Sequence, residues 1–149
     1  MPKPPTILLA LAALAAGPAF AGDDSPATAE ELIRAAETQL GQQDIDGAIA
    51  TLTRALDADP DSALAHTRLG GAYLIDGRYD SAIEQFQQAI ASDADTAGAF
   101  IGMGVAYLHQ DRPGPARAAL IEARRLAPDK AAEIDRLIRS IDEAGTGHP

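Results

Sequence analysis

The stretch Leu69–Ile90, LGGAYLIDGRYDSAIEQFQQAI, returns 34 residues later as Met103–Arg124, MGVAYLHQDRPGPARAALIEAR. A further copy stands one period upstream at Ala35–Leu56, AAETQLGQQDIDGAIATLTRAL. The three align without a gap. Small residues recur at Ala48, Ala82 and Ala116, and again at Ala55, Ala89 and Ala123. Large apolar residues recur at Leu52, Phe86 and Leu120. Ala36, Gly70 and Gly104 share one column; Pro60, Ala94 and Pro128 share another; Tyr73 is matched by Tyr107, with Gln39 in the first copy. A fixed period of this length marks an array of supersecondary units.

Each copy reads as two helices. Before the Gly77-Arg78 interruption, Leu64, Leu69, Tyr73 and Leu74 fall at helical spacing. After it, Ala82, Ile83, Phe86, Ala89 and Ile90 form a second amphipathic run. Asp59-Pro60-Asp61 is expected to start the second copy's first helix, with an acidic cap and a proline whose missing N–H costs nothing in a first turn. Thr28 with Glu31 makes a capping box for the first helix, and Asp129 is placed to cap the last. The small columns let backbones cross closely, because a larger side chain would hold them apart. Gly70 and Gly104 serve the same end at a cost of roughly 1 kcal/mol each against alanine.

A 34-residue helix–turn–helix unit with these columns resembles the tetratricopeptide repeat. The resemblance spans Ala29–Lys130 as repeats at residues 29–62, 63–96 and 97–130, and the first copy departs most, at Ala36 and Gln39. It implies an all-α solenoid of three hairpins, each burying its apolar face on its neighbour. Residues 131–143 are expected as a capping helix. Ile134, Leu137, Ile138 and Ile141 form its apolar stripe, and Glu133, Asp135, Arg136, Arg139 and Asp142 its wet face. Residues 22–28 are expected as a linker and 144–149 as a loose tail.

Composition agrees with closely packed helices. The 149 residues are 46% hydrophobic but only 4% aromatic, with no Trp. The chain has no Cys, which excludes disulfides, thiol catalysis and cysteine-ligated metals. A net charge of −10 repels phosphate backbones and anionic lipid alike, so neither nucleic acid nor a membrane surface is an expected partner.

The first residues, MPKPPTILLALAALAAGPAFAGDDS, fit a secretory signal. Lys3 precedes an apolar run from Ile7 to Ala16, too short for the ~20 residues that span a bilayer. Pro18 breaks that run, and Ala19-Phe20-Ala21 offers the small residues a signal peptidase reads. Cleavage between Ala21 and Gly22 is expected, giving a periplasmic protein with no stable membrane insertion. The alternative is an uncleaved tether.

The resemblance puts the first helix of each repeat on a concave face. The first copy offers Glu30, Ile33, Glu37 and Leu40 there. The second offers Leu64, Thr67, Gly71, Leu74 and Ile75; the third offers Gly98, Ile101, Gly102, Val105 and Leu108. GAFIGMGVAYL, residues 98–108, carries no charge. Such a helix is either buried in the core or lines a groove for an apolar partner segment, such as an amphipathic helix. Gly98 and Gly102, four apart, bare the backbone for close approach. Some members of the family hold a terminal carboxylate with basic and asparagine side chains. The matching positions are Ile33, Glu37, Arg68, Gly98 and Gly102, of which only Arg68 has a suitable charge.

His66 replaces the Phe100 of the third copy and is expected as a partly buried packing residue. His109 and His148 make no defined metal site. No phosphate loop or nucleophile elbow is present, so no catalytic residue, metal or cofactor is expected. The reading is a protein-binding module, an adaptor or assembly factor of the cell envelope with a protein or peptide partner. The alternative is a structural protein that associates with itself.

Overall fold

The computed structural model describes residues 25–146. The expected leader, its cleavage site at Ala19, Ala21 and Gly22, and the last three residues lie outside them. The described chain forms α1 (Ala29–Gly41), α2 (Ile45–Ala58), α3 (Ala63–Ile75), α4 (Tyr79–Ser92), α5 (Ala97–His109), α6 (Pro113–Leu126) and α7 (Ala131–Thr146). A single 3-10 turn, Pro128–Lys130, leads into α7, and no strand occurs among the described residues. α1 packs on α2, α3 on α4 and α5 on α6; each hairpin then leans on the next through α2–α3, α4–α5 and α6–α7. This is the all-α solenoid the period implied.

The hairpin turns share one device. Gln43, Gly77 and Asp111, spaced by the repeat period, have φ of 64°, 76° and 54°. The residue after each donates its N–H five residues back: Asp44 to the Gln39 carbonyl, Arg78 to Tyr73 and Arg112 to Tyr107, all at 2.9 Å. A left-handed residue followed by that bond closes a helix and satisfies its last carbonyls. The arginines then lie over the tyrosines, Arg78 4.4 Å from the Tyr73 ring centre and Arg112 4.8 Å from that of Tyr107.

Helix starts follow the sequence in one case and depart from it in two. The Thr28–Glu31 capping box is present, with reciprocal bonds of 2.9 and 3.3 Å. α3 is capped by Ser62, whose hydroxyl accepts from the Ala65 N–H at 3.2 Å, and not by Asp59-Pro60-Asp61. The reason is that Asp59 still donates its N–H to the Ala55 carbonyl, so it ends α2 and cannot open the next helix. Asp129 lies inside the 3-10 turn, two residues before α7.

The core repeats with the sequence. Ala48, Ala55, Ala82, Ala89, Ala116 and Ala123 are all inaccessible, and Leu52, Phe86, Leu120 and Ile134 are the largest buried side chains. Ile134, Ile138 and Ile141 of α7 join Ala116, Leu120 and Ala123 of α6 in the last cluster. α7 runs to Thr146, beyond the expected residue 143, since no proline intervenes before Pro149. Two acids expected on its wet face instead reach back to α6. Asp142 pairs with Arg117 at 2.9 Å and Asp135 with Arg124 at 2.7 Å.

His66 is buried, as its place in the apolar column suggests. Its Nε2 lies 3.0 Å from the Pro60 carbonyl oxygen and its Nδ1 2.8 Å from Gln85 Oε1. It ties the start of α3 to the preceding loop and to α4. No helix among the described residues is long and apolar enough to cross a membrane.

Candidate functional site

α3 approaches both α1 and α5, so the first helices of the three hairpins make one face. Between α3 and α5 this face carries a shallow, open cavity of about 320 Å³. Nine of the fourteen residues expected on this face line it: Leu40, Thr67, Gly71, Leu74, Ile75, Gly98, Ile101, Gly102 and Val105. Ile75 projects at its edge with 64% of its surface exposed, a large value for an isoleucine on a folded helix.

The other five lie elsewhere. Ile33, Glu37 and Leu64 border a separate depression of about 230 Å³ with Glu30 and Arg34. Ile33 itself belongs mainly to the core between α1 and α3, at 4% exposure. Leu108 borders a third depression, against Arg112 and Ile141. It points toward α7 because it packs with the isoleucines of the cap.

The glycines need a correction. Gly102 is not bare for a partner: the Phe86 ring fills the volume in front of it, and an added Cβ would collide with the ring. Gly70 faces the same ring from the other side, where a Cβ would lie 2.6 Å from Cε1. Phe86 therefore wedges between α3 and α5, and it also reaches the cavity wall. The open positions are Gly71, with nothing within 4 Å of an added Cβ, and Gly98, which meets only the Thr67 methyl at 3.6 Å.

Sequence reading missed Phe86 as part of this site, although a signal was available. Gly70 and Gly102 lie 16 residues before and after Phe86. At the same offsets Leu52 has Ala36 and Arg68, and Leu120 has Gly104 and Arg136. The largest wedge alone has glycine on both sides.

Electrostatically the cavity is nearly neutral. The one cation on its wall, Arg68, donates from Nε to Glu37 Oε1 at 2.6 Å, with both side chains about half exposed. That bond uses the only basic candidate for holding a carboxylate. Far from the cavity, on α6, the Arg125 guanidinium hydrogen-bonds to Glu122 and holds its carboxyl below the usual range. No group of His, Asp or Glu among the described residues is arranged to hold a metal ion.

Two models of the tetratricopeptide repeat match this sequence, one over residues 33–97 and the other over residues 73–141. The chain belongs to the tetratricopeptide-repeat superfamily. Solved tetratricopeptide structures share the fold. The first such domain of human RPAP3 is 23% identical, with a TM-score of 0.75 over 78% of this chain and 91% of that one. A domain of yeast Sti1, in a complex with pHsp70, is 21% identical with a TM-score of 0.75, covering 78% and 97%. The Yersinia enterocolitica secretion chaperone SycD, in complex with a peptide of the translocator YopD, is 16% identical with a TM-score of 0.73, covering 78% and 93%. No curated protein sequence matches significantly.

Proposed function

We propose that this tetratricopeptide protein is a non-catalytic adaptor, exported to the bacterial periplasm, that holds an apolar segment of a partner protein between α3 and α5. The observation that carries the reading is the largely apolar cavity, its one cation Arg68 paired with Glu37, with Gly71 unfilled and Ile75 exposed beside it. Exposed apolar surface bordering a concave, preformed cavity is characteristic of binding sites. Support also comes from its fold neighbours, since an RPAP3 domain is solved with the HSP90 peptide SRMEEVD and SycD with a YopD peptide. The first of those peptides is acidic, and the paired Arg68 makes this surface a poor host for it. Export rests on the leader sequence alone.

The test is in-cell crosslinking followed by mass spectrometry, comparing the native protein with Gly71→Leu and Ile101→Asp. Gly71→Leu puts bulk into open space and leaves the core untouched. Both variants are expected to keep their helical circular dichroism and lose the captured partner. Folded variants with undiminished capture would sink the groove. N-terminal sequencing of the exported protein should begin at Gly22, and a start at Met1 overturns cleavage.

A further inference from the structure

Charge is graded along the solenoid. Residues 29–62 hold eight acidic and two basic side chains, residues 63–96 five and two, and residues 97–146 seven and seven. The successive net charges are −6, −3 and 0. Because the hairpins stack in chain order, the gradient in sequence becomes a gradient in space, from the α1 side of the cavity to the α5 side.

The cavity wall does not cancel it. Arg68 is engaged by Glu37. Glu30 and Arg34 both border the depression on the α1 side and Asp93 the one between Leu64 and Gly98, so the negative field is that of the whole first repeat and not of the wall alone. An apolar surface whose one end lies in a negative field favours a ligand that is apolar in the middle and cationic at one flank. The field acts over roughly 10 Å at 0.1 M salt, enough to reach residues just outside the cavity.

We propose that the occupant is a segment of a separate protein, aliphatic and uncharged at its centre, with lysine or arginine on the flank that crosses the first repeat. Glu37 is the residue that sets this choice, since it silences Arg68, the one cation on the cavity wall. The proposal rests on the groove reading above. A second copy of this chain fits poorly, because it brings a further −10 to an already negative surface.

Fluorescence anisotropy on the purified protein tests it, with three synthetic peptides sharing one central run of leucine and alanine. They carry three lysines, three serines or three glutamates at one end. At low salt the lysine peptide is expected to bind about tenfold tighter than the serine peptide and the glutamate peptide more weakly still, the differences falling away at 0.5 M salt. Glu37→Gln is expected to cut the lysine preference about threefold, whereas Glu133→Gln on α7, an equal change in charge away from the cavity, leaves it intact. Equal binding of all three peptides overturns the charge selection while the groove stands. Binding by none of them, or lysine-peptide binding that survives Gly71→Leu, overturns the groove as well. Light scattering that shows a dimer dissolved by Ile101→Asp would place a second copy there and overturn the proposal.

Discussion

The ring of Phe86 occupies the space in front of Gly102, one hairpin further along the chain, while Gly70 flanks it within its own hairpin. This triplet joins the second and third repeats and at the same time gives the cavity part of its wall. Gly102→Ala therefore sets two effects against each other. Alanine gains roughly 1 kcal/mol of helix propensity, and overpacking against a buried ring costs about 1–3 kcal/mol. The ring is held on both sides and cannot swing away, so the clash wins. Urea unfolding is expected to show a net loss of about 1–2 kcal/mol, with Phe86→Leu in the same chain recovering part of it in a double-mutant cycle.

Gly71 supplies the opposite case one residue from Gly70. Nothing stands within 4 Å of an added Cβ there, so Gly71→Ala collects the propensity gain without the clash. Stability should rise by about 0.5–1 kcal/mol. A fall in the urea midpoint would mean that the space is filled.

What the sequence disclosed follows from what the repeat makes periodic. The 34-residue offset displays every column that serves stacking, so the helices, the alanine crossings and the cap's isoleucine stripe could be read before any coordinate. Contacts that break the period do not show in that offset, although the glycines 16 residues either side of Phe86 mark its wedge. The Phe86 wedge differs from its counterparts Leu52 and Leu120, and the Arg68–Glu37 pair joins side chains 31 residues apart, off the repeat offset. Ser62 caps α3 because α2 runs on through Asp59's hydrogen bond, which composition does not reveal. Leu108 lies three residues beyond Val105 on the stripe expected to face the groove, yet it turns to the cap because α7 lies beside it.

Gln39 marks where the first repeat departs from the pattern energetically. It stands in the column of Tyr73 and Tyr107, and its Oε1 is buried without a hydrogen-bond partner. A buried acceptor left unpaired costs about 1–3 kcal/mol. Methionine has nearly the same length, no obligatory partner and enough flexibility to settle in the slot. Gln39→Met is expected to raise the unfolding free energy by about 1 kcal/mol. An unchanged or lower midpoint would show that the oxygen is solvated after all.

The three hairpin turns offer an internal comparison for backbone strain. Gln43, Gly77 and Asp111 hold the same left-handed position, with φ between 54° and 76°, and only the second is glycine. A non-glycine residue pays roughly 1–2 kcal/mol there, aspartate somewhat less because its short side chain tolerates the region. Glycine removes that strain but adds freedom to the unfolded chain, returning about 0.4–1 kcal/mol. Gln43→Gly should thus stabilise by about 0.5–1 kcal/mol, Asp111→Gly by less, and Gly77→Ala should destabilise by about 1 kcal/mol. The ordering matters more than any single value. If Asp111→Gly gained more than Gln43→Gly, strain at the turn would not be the governing term, and a specific contact of the Asp111 side chain would have to be.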